Sequence, residues 1–300
     1  MSDGPAKVDW PGGLLPELPE TEASGNTREI YSEIRRLCGV PMVALIYRHL
    51  ATIPGALEWA WALLRPAMTS GLLQERAWEL AAGNSLPFSA SIPRPALRVA
   101  GISADDQRTI ANVLDAYNRA NPVNILAVQY LAHLLHRTAA DATDLPPFSS
   151  WEAPQALAPL PAMIEPQDMD PKVRELVGLL TDRGEPRPSR DLPSLYRHLA
   201  RWPNMLGFAA VIVTPAFPAI DAAAGRLREE VLLAAGRLAT RTFHASGISP
   251  PTAPHRKQLE SAIDSFTLRI PEMVVIGALL RRALPDGASG GVGSDGHGRR

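Results

Sequence analysis

The chain of 300 residues has one cysteine, Cys38. A lone thiol excludes a disulfide framework, a cysteine-rich zinc site and a CxxC redox centre. Charge of one sign is also lacking. Lys plus Arg number 30 and Asp plus Glu 31, a net charge of −1, which argues against a nucleic-acid binder driven by phosphate neutralisation. Long hydrophobic runs are missing: the longest uncharged apolar stretch, Met205 to Ile220, is too short to span a bilayer and contains Pro215 and Pro218. Residues 1–24 carry Asp3, Lys7, Asp9, Glu17, Glu20 and Glu22 with no apolar core, so no signal peptide is expected and the cytoplasm is the default location. No glycine-rich phosphate loop is present. What the chain does have is 46% hydrophobic and 20% charged residues and 29 prolines. That composition fits a soluble globular protein of about two domains' length, cut into many short elements.

Helical periodicity dominates. Apolar spacing and breakers predict helices over Thr27–Leu37, Met42–Ala51 and Gly55–Arg65, with Pro66 ending or kinking the third, and over Gln74–Ala82. Ser103 and Asp106 form a capping-box pattern that opens a helix to Arg119, and Pro122 opens the next, to Arg137. Residues 138–171 hold seven prolines (Pro146, Pro147, Pro154, Pro159, Pro161, Pro166 and Pro171) and read as a linker. Helices then follow over Lys172–Leu180, Asp191–Ala200, Met205–Val213, Ala219–Thr242, His255–Arg269 and Pro271–Leu284. No sustained alternation between turns predicts strands. Residues 285–300, rich in glycine, read as a disordered tail.

The strongest signal is a duplication. Tyr47-Arg-His-Leu-Ala-Thr-Ile-Pro-Gly-Ala-Leu57 returns as Tyr196-Arg-His-Leu-Ala-Arg-Trp-Pro-Asn-Met-Leu206, identical at seven of eleven positions and offset by 196 − 47 = 149. The same offset pairs Pro66 with Pro215, Asp115 with Asp264, Tyr117 with Phe266 and Pro122 with Pro271. The organisation expected is therefore an N-terminal extension over 1–26, a helical repeat over 27–137, the linker over 138–171, a second repeat over 172–284 and the tail. The fold class is all-α, two tandem repeats packed as a pseudo-dimer around a central cleft.

Matching positions of two copies do the same structural job, so a polar residue facing an apolar twin has been released from it. Asp191 pairs with Met42 and Asn121 with Ile270. Both polar residues precede a proline at an expected helix start. N-capping is the competing explanation for each, and the two roles can coexist, because helix N-termini also attract anions.

These segments resemble the group I 2-haloacid dehalogenases, the DehI type. The resemblance rests on Pro41-Met-Val-Ala-Leu-Ile-Tyr-Arg-His-Leu-Ala-Thr-Ile-Pro-Gly55, Tyr117-Asn-Arg-Ala-Asn-Pro122, Asp168-Met-Asp-Pro171 and Ser189-Arg-Asp-Leu-Pro-Ser-Leu-Tyr-Arg-His-Leu-Ala-Arg-Trp-Pro203, in the family's order. It implies hydrolysis of a 2-halo carboxylic acid to a 2-hydroxy acid with inversion, without cofactor, metal or covalent ester. The family's catalytic Asp falls on Asp191 and its water-orienting Asn on Asn121. Met42, Leu45, Arg190 and Phe266 fall among the substrate-binding positions. Met42 and Leu45 stand where the family's pocket has aromatics, and Arg190 where it has a small hydroxyl residue. The family's Thr and Glu four apart map to Ser70 and Gln74, and a glutamine is no carboxylate. The substrate carboxylate is expected against backbone N–H groups at a helix N-terminus.

The remaining candidates read as scaffold. His49 and His198 recur in both copies. His133 and His136 lie one turn apart without acidic companions, so no metal is expected. Cys38 reads as a buried thiol. The partner expected is a small organic acid, with no nucleic acid or membrane; a homodimer is left open. Two alternatives stand beside the enzyme: a non-catalytic or differently acting relative that binds a small organic acid in the same cleft, and a helical interaction scaffold with an exposed apolar groove.

Overall fold

The computed structural model describes residues 15–87, 91–135, 151–181, 192–240 and 251–285. Arg190, Asp191, His136, the first part of the expected linker and the glycine-rich tail lie outside the described residues. Within them the chain is all-α, with no strand. The helices are α1 (Gly25–Cys38), α2 (Leu45–Leu50), α3 (Ala56–Thr69), α4 (Leu72–Gly83), α5 (Arg94–Val99), α6 (Ala104–Leu135), α7 (Pro171–Thr181), α8 (Ser194–Leu199), α9 (Pro203–Val213), α10 (Phe217–Ala239) and α11 (Ala253–Ala283). Short 3₁₀ turns occupy Pro166–Asp168 and Thr214–Ala216.

Local chemistry explains most boundaries. α1 stops at Gly39, whose φ of 60° is the left-handed conformation that closes a helix. At the start of α6 the capping box forms in full. The Asp106 amide donates to Ser103 Oγ at 3.0 Å, and the Ser103 amide donates to Asp106 Oδ2 at 3.0 Å. Asp106 Oδ1 also accepts from Trp202 Nε1 at 2.8 Å, tying this helix start to α9. The Ser103 and Trp202 bonds hold the Asp106 carboxyl below the usual carboxylate range.

Three prolines behave differently from the sequence expectation. Pro66, Pro122 and Pro271 lie inside α3, α6 and α11 and do not end or open them. A proline removes one ladder hydrogen bond and costs about 3 kcal/mol in a helix interior. Tertiary burial outweighs that here. Every residue from Pro122 to Leu131 is buried, as is every residue from Ile270 to Gly277. Such segments are buried all round, polar Asn124, Gln129 and Glu272 included, and belong to the centre of the molecule. Asn121 is therefore a mid-helix residue, not an N-cap. α8 begins at Ser194 with Pro193 as its N-cap residue, two positions after Asp191.

α6 and α11 pack along one another, with α10 and α4 against α6. At one crossing Asn118 Nδ2 donates to the Gly277 carbonyl at 3.2 Å. A Cβ at Gly277 would meet Asn118 Oδ1 at 2.3 Å, so a larger residue there would have to displace the Asn118 amide. Apolar side chains gather into two cores. The first combines α1 to α4 with Ala120–Leu135 of α6, Leu227–Ala239 of α10 and Leu259–Ile270 of α11. The second combines α5, α7, α8 and α9 with Ile110–Tyr117 of α6, Ile220–Ala224 of α10, Val275–Ala283 of α11 and Leu284 after it. Each core thus draws on both ends of the chain, and the middles of α6 and α11 pass between the two.

The 149-residue offset recurs in element boundaries. Leu45–Leu50 becomes Ser194–Leu199, and the starts Ala104 and Ala253 differ by 253 − 104 = 149. The segments leading into the halves also bind alike. The Leu18 amide donates to the Arg48 carbonyl at 2.9 Å, and the Ile164 amide to the Arg197 carbonyl at 3.1 Å. Arg48 pairs with Glu17 at 3.0 Å and Arg197 with Glu165.

Within the expected linker, residues 151–165 are an extended strap fixed to the helices. The Leu157 amide donates to the Gly39 carbonyl at 3.1 Å, and Arg119 reaches the Gln155 carbonyl at 2.7 Å. Trp151 covers Gly71 so closely that a Cβ there would lie 2.3 Å from its ring.

Candidate active site

A cavity opens where the middles of α6 and α11 pass between the cores. Four stretches line it: Met42–Ile46 with Arg48, then Tyr117, Ala120, Asn121 and Asn124 of α6, then Leu192–Leu195, then Ser265, Phe266, Arg269, Ile270 and Met273 of α11. Its volume of about 80 Å³ is several times the ~10–15 Å³ that one water needs. It therefore has room for a small organic molecule with water beside it.

The lining follows the 149-residue offset. Val43–Ile46 and Leu192–Leu195 are related by it, as are Tyr117, Asn121 and Asn124 with Phe266, Ile270 and Met273. The offset-related stretches of the wall differ in chemistry. Asparagines project from α6 where α11 has Ile270 and Met273. α11 in turn carries Arg269 and Ser265, where α6 has Ala120 and Ala116.

Of the residues singled out from sequence, Asn121, Met42, Leu45 and Phe266 share this wall. Arg190 and Asp191 lie outside the described residues, but Leu192, which follows them, is in the wall. Ser70 and Gln74 are not among the lining residues. Ser70 Oγ donates to the Ala67 carbonyl at 3.1 Å. Gln74 is fully buried and donates to the Leu37 and Met68 carbonyls at 3.2 and 2.9 Å, joining α1 to α3. Both satisfy backbone carbonyls near helix ends. Cys38 is buried, which pushes its thiol pKa up to about 12 against the opposing influence of Arg119.

Tyr117 belongs to a buried relay. Its hydroxyl lies 2.9 Å from His198 Nδ1, and His198 Nε2 lies 3.0 Å from the Pro161 carbonyl. A carbonyl only accepts, so Nε2 carries the proton and the Tyr117 hydroxyl donates to Nδ1. His198 is 3% exposed, and desolvation lowers its pKa to about 4. It is neutral near pH 7 and fixes the Tyr117 ring in the wall. In the other copy His49 approaches Phe266 with ring centroids 6.4 Å apart, and Phe266 has no hydroxyl to donate.

The positive groups of the wall are Arg48 and Arg269, each ion-paired with a glutamate outside the lining: Glu17 at 3.0 Å and Glu272 at 3.5 Å. α2 and α8 have only six residues each, too short for a strong helix dipole, and Arg48 and Arg269 are the cationic side chains of the wall among the described residues. The amides of Asn121 and Asn124 make no hydrogen bond to any other described residue. Asn124 escaped the sequence reading although the same twin comparison finds it, facing Met273. Arg48 escaped because it recurs as Arg197 and so reads as scaffold.

The chain is similar to two proteins named configuration-inverting 2-haloacid dehalogenase. It is 27% identical over 205 residues to one from Alcaligenes xylosoxydans xylosoxydans and 26% identical over 203 residues to one from Pseudomonas sp. (strain 113). The matches cover 64% and 65% of this chain and 66% and 65% of those proteins, so it spans about two thirds of their length. A (R)-2-haloacid dehalogenase from Pseudomonas putida is 25% identical over 224 residues, 69% of this chain and 71% of that protein. No protein-family model matches. Among solved structures, a D-2-haloacid dehalogenase mutant in complex with D-2-CPA superposes with a TM-score of 0.70 at 20% identity, covering 90% of this chain and 96% of that one. The fold is that of a D-2-haloacid dehalogenase. A further structure of such a dehalogenase, with L-LA, gives a TM-score of 0.67 over the same coverage. The agreement in fold thus extends well beyond the aligned sequence.

Proposed function

We propose that this protein is a hydrolase that converts a 2-halo carboxylic acid to the 2-hydroxy acid with inversion at Cα. The observation that carries this reading is the meeting of Asn121 with Leu192–Leu195 in one small cavity, in a chain related to configuration-inverting 2-haloacid dehalogenases. Asp191 immediately precedes that stretch and is the general base. One water is held between the Asp191 carboxylate, which accepts one of its protons, and the Asn121 amide oxygen, which accepts the other.

The water oxygen attacks Cα from the side opposite the halogen. The new C–O bond forms as the carbon–halogen bond breaks, the halide leaves with the bonding pair, and Asp191 takes a proton. Halide is a good leaving group and needs no acid. The work of the site is to aim a partly desolvated water, and the apolar wall of Met42, Leu45, Phe266 and Ile270 supplies that setting.

The reading is tested by halide release from the separate enantiomers of 2-chloro- and 2-bromopropanoate and from longer 2-halo acids, with chiral analysis of the products. Release with inverted hydroxy acid is expected. Binding of the acids with no halide released would overturn the enzyme in favour of the acid-binding relative.

A further inference from the structure

Asn124 has no role in the reaction just described, and its setting requires one. It is 3% exposed, lines the cavity, and its side-chain amide makes no hydrogen bond to any other described residue. An amide that lines a cavity with no hydrogen bond to another described side chain is open to a ligand there, and asparagine is a poor residue for a helix interior. Its twin position in the second copy, Met273, shows that an apolar side chain fits the same place in the fold.

We propose that Asn124 donates its amide N–H to the carboxylate of the substrate, in the positive field of Arg48 and Arg269. The inference rests on the proposed hydrolysis for what the two ends of the ligand do. The anion site itself rests on the cavity. Both arginines line the wall while Glu17 and Glu272, their partners, do not. Asn124 also lies three residues after Asn121 on one face of α6, a spacing that puts Cβ atoms about 5–6 Å apart. A water held at Asn121 attacks opposite the halogen, so the halogen is the substituent farthest from α6. The carboxylate is attached to the attacked carbon and lies beside the water, within reach of the next turn of helix. The ligand class that follows is a short-chain monocarboxylate with a small apolar 2-substituent, the remaining wall being largely aliphatic.

The test uses propanoate, which cannot react, and propanamide, its neutral counterpart, measured by calorimetry with the full-length protein. The wild type is expected to bind propanoate at least ~10-fold more tightly than propanamide, the difference that one hydrogen bond to a charged group makes. Asn124→Met, which copies the twin position, is expected to lose that ~10-fold preference and to melt at or above the wild-type temperature. Asn124→Asp, nearly the same shape but acceptor-only when ionised, is expected to lose propanoate binding as well. On 2-chloropropanoate, Asn124→Met should raise KM by a similar factor with a smaller change in kcat. Equal affinities of the wild type for the two probes, no binding of propanoate, or unchanged propanoate affinity in Asn124→Met would each overturn the proposal. Asn124-dependent propanoate binding without halide release would leave it standing and remove the hydrolase reading. Halide release with KM unaffected by Asn124→Met would do the reverse.

Discussion

At the scale of single residues, Asp191 and Asn121 are the pair on which the proposed chemistry turns. Asn121 caps no helix, because it lies within α6, and the N-cap position of α8 is Pro193, two residues after Asp191. Asp191→Asn and Asp191→Ala are therefore both expected to keep thermal stability, within the roughly ±0.5 kcal/mol of substitutions that touch no structural feature, and both to abolish halide release. Asn121→Ala is expected to lower kcat by ~10²-fold or more, because it unfixes the water and leaves the base in place. Retained turnover in either Asp191 variant would assign the base elsewhere.

His198 gives a pH signature. Its folded pKa of about 4 lies below the ~6.5 of an unfolded histidine, so between these values the unfolded chain binds the extra proton. Stability from this residue is complete above pH 6.5 and falls as pH drops towards 4, by up to about 1.4 kcal/mol per pH unit. Urea unfolding at pH 7 and pH 5 should show a larger loss in the wild type than in His198→Gln. Equal losses would mean that His198 is not buried neutral. The twin comparison singled out Asn121, which lines the cavity, and Asp191, which the proposed mechanism uses, because each faces a hydrophobe in the sequence. It also reaches Asn124. It could not reach His198 or Arg48, which recur in both copies and differ only in what surrounds them.

At the scale of elements, helix existence was legible and helix ends less so. Periodicity located α1, α3, α4, α7 and α9 to within a few residues, and Ser103 with Asp106 fixed the start of α6. Pro122 and Pro271 misled, since a proline reads as a boundary unless the burial on both sides of it is known, and that burial comes from the other half of the chain. α5 escaped because six residues carry too little periodicity. The crossing of α6 and α11 can be tested through glycine. Gly277→Ala would place a Cβ 2.3 Å from Asn118 Oδ1 and is expected to destabilise by about 1–3 kcal/mol through overpacking. Gly225→Ala in α10 meets nothing within 4 Å and is expected to stabilise by about 0.5–1 kcal/mol through helix propensity. Thermal melts of the two variants should move in opposite directions, and equal shifts would contradict the packing at Gly277.

At the scale of the whole molecule, we propose that the matching offsets reflect two copies of one helical unit, each lending half of its long helix to both cores. Support comes from the paired boundaries of α2 with α8 and of α6 with α11, and from the parallel contacts at Arg48 and Arg197. Neither core is complete within one half. Urea should therefore unfold the chain in a single transition, the same by fluorescence and circular dichroism, and residues 1–150 expressed alone should not show a cooperative melt. Two separate transitions would contradict this arrangement. The 149-residue offset itself was plain in the sequence. The sharing of cores was not, because an offset relates positions without saying which copy's side chains they touch.

The central claim is that water bound by Asp191 and Asn121 attacks the substrate directly. A single turnover in ¹⁸O-labelled water, with enzyme in excess over 2-chloropropanoate, tests it most directly. Direct attack places ¹⁸O in the hydroxyl of the product in that first turnover and leaves the protein unlabelled. A product carrying ¹⁶O, with ¹⁸O appearing in an enzyme carboxylate, would show an ester intermediate and contradict the claim.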